Sequence, residues 1–574
     1  MPGFSGVLGR VNDVLRSVDL AIPLSNTTEN KQYSFENIWL KRFVVPKFLG
    51  DKIFDEDDEF LLCTDGVFLN ATTLRARYSV TTNFALLKTL FRNKALLFPN
   101  DLRGTFAGCL YDKTTNSFHL FTDHLGTKPI FYFFDRDTKR LIFGSELKAV
   151  VTLMRHLNIP TSLSDVGAYC LLTFGFMLDN HTLVDTVKRL APGSILSYQG
   201  GTITTKQYYR LDNTLYHTEP QASITANLNA LFSEAVTAEY DKDKEYGYRH
   251  IGTLSGGLDS RMNLLSARQL GYDDLYTVTC SQSHYLDETI ARSIAGHCGF
   301  HSLFYSLDNG NYLTDIDGPV LANDGLVLYS GAAHFYRMLS LLNWEHFGIL
   351  HTGMLGDAVL GGTYLSCEKH TAAEPSEGSY SRTLLPRISS IATAVAQEYD
   401  NSELYLLYNR GINGIFNGYW MANQFTECAS PFLHIDFLEY AIKIHPRKRF
   451  RYRIYHQWIS KYLPEAARFT WELSGTKIRP DYLFWHRVRR VLEVTRRFVR
   501  GPLPDSSMNP FEYWFSTNRH LVETVNNYFT GHIEGLKGRP ELYKDANVLF
   551  ETGTHFEKTQ VLTLLAALQL LGVN

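Results

Sequence analysis

The chain has 574 residues, of which 44% are hydrophobic and 20% are charged, and its formal net charge is −3. A chain of this length is too long for one compact core, so two or more large domains are expected. The small net charge excludes a general electrostatic drive toward nucleic acid or membranes, and the composition is typical of a soluble globular protein.

Seven cysteines are scattered along the chain without a Cys-x-x-Cys pair. This pattern argues against structural zinc and thioredoxin-like chemistry and favours free thiols in a reducing compartment. The N-terminus lacks a basic region followed by an apolar run, so no signal peptide is predicted. The apolar run 561–573 is too short to span a bilayer and predicts a core helix. We therefore expect a soluble cytoplasmic protein.

The pattern of apolar residues changes along the chain. Residues 1–210 contain short alternating apolar runs separated by turns, which predict a β-rich domain. The polar stretch 211–223 predicts a linker. Over 224–574, long helical periodicities alternate with short buried strands such as 251–256 and 275–280, which predicts a parallel α/β sheet.

The most informative stretch is SGGLDS, which lies where a predicted strand ends and a helix begins. Ser255, Gly256 and Gly257 are small, so their N–H groups can turn toward an anion at the positive end of that helix. Ser260 adds a hydroxyl donor. Asp259 would repel phosphate unless a divalent cation lies between them, which predicts Mg²⁺. The stretch resembles the pyrophosphate loop of ATP pyrophosphatases; the alternative is a tight glycine turn without a ligand.

A second glycine-rich segment, TGMLGDAVLGG at 352–362, follows another predicted buried strand. It supplies Gly353 near the nucleotide and Asp357 as a second carboxylate. Asp259 and Asp357 together would hold Mg²⁺ on the phosphates of ATP. The alternative role for Asp357 is a helix N-cap, and the two roles are compatible.

These segments, taken together, resemble the asparagine synthetase superfamily over most of residues 1–480. The matching C-terminal pieces are LSGGLDSR, TGMLGD, SPFLHIDFLEYAIKI (430–444) and LPEAARFTWELSGTKI (463–478). The matching N-terminal pieces are MPGFSG, TDGVFLN (64–70), LRGTFAGCLYD (102–112), DHLGTKPIFYF (123–133) and FGSELKAV (143–150). The resemblance implies an α/β plus α+β fold. An N-terminal Ntn-type β-sandwich flanked by helices, of the class II glutamine amidotransferase type, precedes a C-terminal parallel α/β sheet of the adenine nucleotide α-hydrolase type with added helices.

The resemblance also implies the chemistry. Mg·ATP and a carboxylate would give an acyl-adenylate and pyrophosphate, and an amine would then form an amide. Lys477 matches a lysine that family members place against the substrate and phosphates; its alternative is an ordinary surface lysine. Val278 and Thr279 match the strand at the adenine, where the alternative is a plain core strand.

The N-terminal half departs from the amidotransferase template in its chemical residues. The family's nucleophilic cysteine is replaced by Pro2, which has neither a thiol nor a primary amine. The family's Asn-Gly-Glu segment reads Asp-Gly-Val at 65–67, and its Ser-Gly-Asp segment is absent from 79–88. Cys63 and Cys109 are interpreted as buried apolar residues. We therefore predict an inactive glutaminase and an amine from another source.

That prediction places the chain near β-lactam synthetases, lasso-peptide cyclases and polysaccharide-cluster homologues. Family members carry Glu or Tyr after the glycine that matches Gly353, whereas this chain carries Met354, which cannot move a proton. Glu427 and His434 are candidate replacement bases.

The alternatives to an amide ligase of this kind are an asparagine synthetase that uses aspartate and ammonia, and a non-catalytic scaffold. A sulfur-inserting tRNA enzyme shares the loop but needs a reactive cysteine and a basic RNA face.

Two further segments carry clustered charges. The basic amphipathic segment 484–501 predicts a helix packed on the core with solvated arginines; the alternative is weak contact with an acidic carrier or an anionic membrane surface. Asp287 and Glu288 suit a helix start and need no further role. The expected partners are small-molecule or peptide carboxylates and amines, without nucleic acid.

Overall fold

The computed structural model describes residues 2–9, 29–35, 37–479 and 481–573. In this part of the chain the N-terminal half forms twelve strands: β1 (Gly3–Leu8), β2 (Glu29–Phe35), β3 (Ile38–Val44), β4 (Phe54–Glu56), β5 (Phe60–Phe68), β6 (Gly104–Asp112), β7 (Ser117–Thr122), β8 (Phe131–Asp135), β9 (Arg140–Gly144), β10 (Lys188–Arg189), β11 (Ser194–Gln199) and β12 (Thr202–Gln207). The helices of this half are α1 (Ala71–Tyr78), α2 (Asn83–Lys94), α3 (Leu147–His156) and α4 (Asp165–Phe174).

The N-terminal strands form two antiparallel sheets, with the orders β10-β8-β9-β1-β3-β2 and β12-β11-β7-β6-β5-β4. The sheets face each other: Phe4 and Leu40 of the first share a buried cluster with Leu61 and Leu120 of the second. Helices α1 and α2 cover the outer face of the second sheet, and α3 packs beside β9. The structure confirms the predicted β-sandwich flanked by helices.

The C-terminal half is built on a five-stranded parallel sheet of β13 (Arg249–Thr253), β14 (Tyr276–Ser281), β15 (His301–Ser306), β16 (Phe347–His351) and β17 (Cys428–Ala429), and a short hairpin pairs β18 (Thr470–Trp471) with β19 (Thr476–Lys477). The sheet order is β15-β14-β13-β16-β17. The chain therefore adds β14 and β15 on one side of β13 and then crosses to the other side, where it adds β16 and β17. In such sheets ligands bind beyond the carboxyl ends of the strands, where the order reverses. The parallel α/β prediction is confirmed.

The helices of the C-terminal half surround this sheet: α5 (Gln221–Glu245), α6 (Leu258–Gln269), α7 (Leu286–Cys298), α8 (Asp317–Asn323), α9 (Ala333–Ser340), α10 (Ser389–Gln397), α11 (Ser402–Leu406), α12 (Ile435–Ile442), α13 (Pro446–Arg449), α14 (Arg453–Tyr462), α15 (Pro464–Ala467), α16 (Tyr482–Arg500), α17 (Phe511–Thr517), α18 (Arg519–His532), α19 (Pro540–Thr552) and α20 (His555–Leu571). The apolar run 561–573 lies largely in α20 and is mostly buried, so the predicted core helix is confirmed.

A buried set of charged groups ties β16 to α5. His351, the last residue of β16, places Nε2 2.8 Å from a carboxylate oxygen of Asp243 and Nδ1 3.3 Å from Glu239. Burial alone would lower the pKa of His351, but the two carboxylates outweigh burial and raise it to about 9. The imidazolium is therefore held between two acids of α5. These contacts fix the end of β16, from which the glycine-rich segment 352–362 continues.

The two halves share an extensive contact. Arg103 of the N-terminal half pairs with Asp436 at 2.8 Å, and the N–H of Leu147 donates to Asp324 at 2.7 Å. The predicted linker carries neither helix nor strand until α5 begins at Gln221, but Asn213 within it is buried and donates to Glu403. The segment is thus packed rather than free, and the predicted domain boundaries stay predictions.

Of two further expectations, one is confirmed and one is wrong. The seven cysteines are free, as expected. The packing predicted for 484–501 is wrong: a helix forms there, but Val491, Leu492, Phe498 and Val499 of its apolar stripe are exposed. The period of the stripe sets which residues share a face, whereas tertiary contacts decide whether that face meets the core.

No helix in the described parts of the chain is long and apolar enough to cross a membrane.

Candidate nucleotide site

A cleft of about 320 Å³ opens at the carboxyl ends of β13, β14 and β16, where the strand order reverses. Most of the predicted nucleotide residues meet there. The lining includes Ser255, Gly257, Asp259, Ser260, Val278, Gly353 and Asp357, together with Asp287, His334, Met338 and Met354. The two glycine-rich segments, about a hundred residues apart in sequence, thus form opposite sides of one site.

The N-terminus of α6 supplies the donors on one side of the cleft. Gly257 is the N-cap of α6, and no side chain caps that end, so the first N–H groups of the helix have no side-chain acceptor there. The N–H of Ser255 donates to Ser260 Oγ at 3.0 Å, and the N–H of Gly257 donates to Ser255 Oγ at 3.2 Å. Hydroxyls, amides and the positive helix end therefore converge, which is the chemistry that binds pyrophosphate.

Asp259 and Asp357 form the acidic side of the site. The N–H of Asp357 donates to Asp259 Oδ2 at 2.9 Å, and the Tyr455 hydroxyl donates to Asp259 Oδ1 at 2.6 Å. Burial raises the pKa of both carboxyls, and the charge of Asp357 raises that of Asp259 further. Two adjacent carboxylates that disfavour each other's charge fit a divalent cation, because oxygen ligands of this kind are what Mg²⁺ takes in proteins.

Gly353 lets the second segment approach the first. A Cβ on Gly353 would lie 2.4 Å from the carbonyl carbon of Asp259 and from the nitrogen of Ser260, both backbone atoms. We expect Gly353→Ala to push the segment away from α6, cost about 1 to 3 kcal/mol of stability and weaken ATP binding at least tenfold. Calorimetric titration with Mg·ATP and a thermal melt measure both effects.

The matched control is Gly296→Ala on α7, where a Cβ would meet nothing within 4 Å. This change removes only glycine's backbone entropy and should be neutral or stabilise by about 0.5 to 1 kcal/mol. Equal effects of the two variants on ATP binding would contradict the packing role of Gly353.

Both halves of the chain match known protein families. Residues 52–209 match the family described as glutamine amidotransferase domain, and residues 227–412 match the family described as asparagine synthase. Asparagine synthetase B of Escherichia coli (strain K12), named as glutamine-hydrolyzing, is 22% identical over 420 residues, which cover 69% of this chain and 65% of that protein.

Two relatives named as glutamine-hydrolyzing asparagine synthetases come from Bacillus subtilis (strain 168). Asparagine synthetase 1 is 21% identical over 322 residues, covering 54% of this chain and 49% of that protein. Asparagine synthetase 3 is 28% identical over 160 residues, covering 28% and 24%. The chain thus spans less than two thirds of the length of each of these relatives. The chain belongs to the asparagine synthetase superfamily.

The glycine turn at 255–257 is held by Asp287, an acid for which the sequence predicted only a helix-start role. The N–H of Gly256 donates to Asp287 Oδ1 at 2.7 Å, and Asp287 lines the cleft. Gly256 therefore turns its N–H toward α7 rather than toward an anion. The helix-start role expected for Asp287 is incomplete, because the contact joins residues thirty-one positions apart and has no local signal.

Burial, and secondly the charge of Glu472, raise the pKa of Asp287 from 3.8 to about 6. A raised folded-state pKa means that wild-type stability falls as the pH rises from about 3.8 to about 6. Asp287→Asn keeps an acceptor for Gly256 and removes the charge, so we expect it to stabilise the protein by about 1 to 3 kcal/mol at pH 8. The gain should vanish below pH 3.8 in urea unfolding.

Glu288→Gln is the control for Asp287→Asn, because Glu288 is the next residue, pairs with the exposed Arg292, and as glutamine keeps an acceptor for the His284 N–H. Its removal should change stability by less than about 0.5 kcal/mol at either pH. Lower stability of Asp287→Asn at pH 8 would contradict the cost assigned to the Asp287 charge.

Of the other residues that the resemblance assigned to the site, some line the cleft and others do not. Val278 lines the cleft, whereas Thr279 is buried behind it and its hydroxyl donates to the Leu254 carbonyl at 2.7 Å. Lys477 is exposed on β19 and lies outside the residues that line the cleft. The hairpin reaches the loop through Glu472, whose N–H donates to the Gly256 carbonyl. The role of Lys477 stays a prediction.

Neither candidate base of the superfamily-based prediction lies at the cleft. Glu427 is buried between Lys128 and Lys52; burial would raise its pKa, but the two lysines outweigh burial and lower it to about 2. His434 lines a small cavity between the two halves, and burial lowers its pKa to about 4. The cleft itself holds His334, which nothing in its sequence segment distinguished.

The N-terminal residues that depart from the superfamily's glutaminase serve the fold instead. Asp65 lies 3.3 Å from Lys128, and Val67 is fully buried. Cys63 and Cys109 face each other across β5 and β6 and are also fully buried, as expected. Burial raises the pKa of the Cys109 thiol well above its usual range, which suppresses the thiolate.

Proposed function

We propose that the protein is an ATP-dependent amide ligase that adenylates a carboxylate, releases pyrophosphate and joins the acyl group to an amine. The observation that carries the proposal is that Asp259, in the first turn of α6, and Asp357 lie side by side at the uncapped N-terminus of that helix in one cleft. Such a site binds a Mg²⁺-complexed polyphosphate. Mg²⁺, when bound, supplies charge neutralisation on the phosphates.

The chain's own residues then do the positioning. The first-turn N–H groups of α6, which have no side-chain cap, and the hydroxyls of Ser255 and Ser260 hold the pyrophosphate oxygens, which gain charge as the α–β bond breaks. Tyr455 fixes the Asp259 carboxylate through its hydroxyl, and Gly353 keeps the two walls at contact distance. Holding two anions, the carboxylate and ATP, in one orientation is the main requirement of this reaction.

We infer that the nitrogen does not come from glutamine. Pro2 offers no thiol, Asp65 is paired with Lys128, and the two cysteines of the sandwich are buried. An assay of glutamate release from glutamine tests this directly. No release above background is expected, whereas glutamine hydrolysis that depends on the N-terminal half would overturn the inference.

His334 is the proposed acceptor of the amine proton, since Met354 cannot serve. It lies in the first turn of α9 and lines the cleft, and its Nδ1 is buried with no hydrogen-bond partner among the described residues. Burial lowers its pKa to about 4, so the imidazole is neutral at pH 7, and its proposed role rests on the position of Nδ1 in the cleft rather than on its basicity.

We expect His334→Gln to slow amide formation roughly 100-fold while leaving pyrophosphate exchange within about threefold of wild type. The control is His301→Gln, an exposed histidine on β15 that pairs with Asp274 outside the cleft. Equal loss of exchange and amide formation in His334→Gln would show a binding role instead of proton transfer.

Two other functions remain to be distinguished. The relatives' names favour asparagine formation, in which case aspartate is the acid and ammonia the amine. A non-catalytic scaffold is favoured by Met354 but opposed by the intact pair of acids. Phosphorus NMR of the reaction with Mg·ATP separates the scaffold from both amide-forming functions: AMP and pyrophosphate support a ligase, ADP and phosphate contradict it, and no binding of Mg·ATP supports the scaffold. Dependence of AMP formation on aspartate then distinguishes asparagine formation from the use of another acid.

A further inference from the structure

Helix α16 turns an apolar stripe away from the body of the protein. Phe484, Val491 and Phe498 lie seven residues apart, on one line along the helix, and are 60%, 64% and 91% exposed. Leu492 and Val499 form a parallel line beside them and are 58% and 73% exposed. A contiguous exposed apolar surface of this kind marks an interaction site in a soluble chain.

The opposite side of α16 holds the contacts with the C-terminal half. Tyr482 is buried against Trp471, His486 Nδ1 lies 2.9 Å from the Leu473 carbonyl oxygen, and Arg489 donates to the Glu472 carbonyl. Tyr482 and Arg489 are themselves seven residues apart, about half a turn around the helix from Val491. The helix is therefore anchored through its polar side, which is the reverse of a helix that packs on a core.

The charge of α16 identifies the kind of partner. Residues 482–500 contain six arginines and one glutamate, in a chain whose overall charge is −3. Arg487 and Arg490 lie on one flank of the stripe, and Arg496, which pairs with Asp505 at 3.2 Å, lies on the other. Arginines that flank an apolar stripe can reach phosphates while the apolar side chains enter the region below them.

A second copy of the chain fits this surface less well. Two such helices side by side would bring their excess positive charges together, which disfavours association. An acidic protein would match the arginines but would also need an apolar groove along the length of the helix, whereas a lipid surface has an apolar layer beneath its charges throughout. A surface of anionic lipids satisfies both features at once.

We propose that α16 docks on an anionic membrane surface, with Phe484, Val491, Leu492, Phe498 and Val499 in the interface between headgroups and acyl chains. The docking is independent of the proposed reaction. Arg489 touches Glu472, and Glu472 touches Gly256 of the nucleotide loop, so the docked helix would adjoin the candidate site. The activity would then be held at the membrane surface.

Sedimentation of the full chain with lipid vesicles tests the proposal. Vesicles of phosphatidylcholine alone are compared with vesicles that also contain one quarter phosphatidylglycerol. Wild type should bind the anionic vesicles, bind neutral vesicles at least tenfold more weakly, and dissociate as the salt concentration rises. Val491→Ser with Phe498→Ser should reduce binding to anionic vesicles roughly tenfold or more. Arg487→Gln with Arg490→Gln should reduce it about fivefold for each arginine.

The matched control is Leu341→Ser, since Leu341 is also 58% exposed but lies at the end of α9. It should bind vesicles as wild type does, and all variants should melt as wild type does because the changed side chains are exposed. Equal binding to neutral and anionic vesicles, or no binding to either, would overturn the proposal. So would a dimer in light scattering that the Val491→Ser and Phe498→Ser changes dissociate in the absence of lipid.

Discussion

Asp259→Asn is expected to reduce Mg²⁺-dependent cleavage of ATP at least 10²- to 10³-fold while the fold persists. Asparagine keeps the size of the side chain and can still accept one hydrogen bond, but it lacks the charge that a cation requires. Because burial and Asp357 already disfavour that charge, the variant should be as stable as wild type or more so. AMP formation and a thermal melt measure the two effects.

Asp241→Asn provides the control. Asp241 accepts a hydrogen bond from the Tyr272 hydroxyl at 2.8 Å, as Asp259 does from Tyr455, but it is exposed on α5 away from the cleft. The control should keep full activity. Turnover retained in Asp259→Asn, or lost equally in both variants, would contradict the metal role of Asp259.

Glu427→Ala should destabilise the protein by about 3 to 5 kcal/mol, since it leaves the buried Lys52 without a counter-ion and Lys128 with Asp65 alone. Glu427 lies 2.8 Å from Lys52 Nζ and 2.7 Å from Lys128 Nζ, and it joins the C-terminal half to the sandwich. Its pKa is lowered from 4.5 to about 2 by the lysines, against the effect of burial. The stabilisation is therefore fully present above pH 4.5 and is lost as the pH falls toward 2.

Urea unfolding at pH 7 measures this cost, with Glu56→Ala as the control. Glu56 pairs with Lys113 at 2.6 Å on the surface, and its removal should cost less than about 1 kcal/mol. Glu427→Gln, which removes the charge but keeps the shape, should lie between the two. A cost below about 1 kcal/mol for Glu427→Ala would show that the network contributes little.

The parts of the site that the sequence predicts well are those made by local rules. A strand, a glycine turn and a helix start are encoded within a few residues, so Ser255, Gly257 and Ser260 could be placed from sequence. The meeting of Asp259 with Asp357 could be anticipated because both follow parallel strands, whose carboxyl ends lie at one edge of a sheet. The family resemblance supplied the order of the two halves.

The features that could not be predicted from sequence depend on contacts between distant segments of the chain. Asp287, which follows β14, contacts Gly256, which follows the neighbouring β13, and His334 enters the cleft from a helix with no motif. Glu427 was a candidate base because the sequence gives no sign of its two lysine partners, which lie hundreds of residues away along the chain. For α16, hydrophobic periodicity gives the stripe but carries no information on which side of the helix meets the protein.

The measurement that tests the central claim most directly is exchange of labelled pyrophosphate into ATP, with Mg²⁺ and one carboxylic acid at a time. Aspartate comes first, followed by β-amino acids, sugar acids and peptides. We expect that one acid supports exchange without glutamine and that Asp259→Asn abolishes it; exchange with aspartate would identify an ammonia-using asparagine synthetase. ATP cleavage to ADP and phosphate, or failure to bind Mg·ATP at all, would contradict the proposed ligase activity.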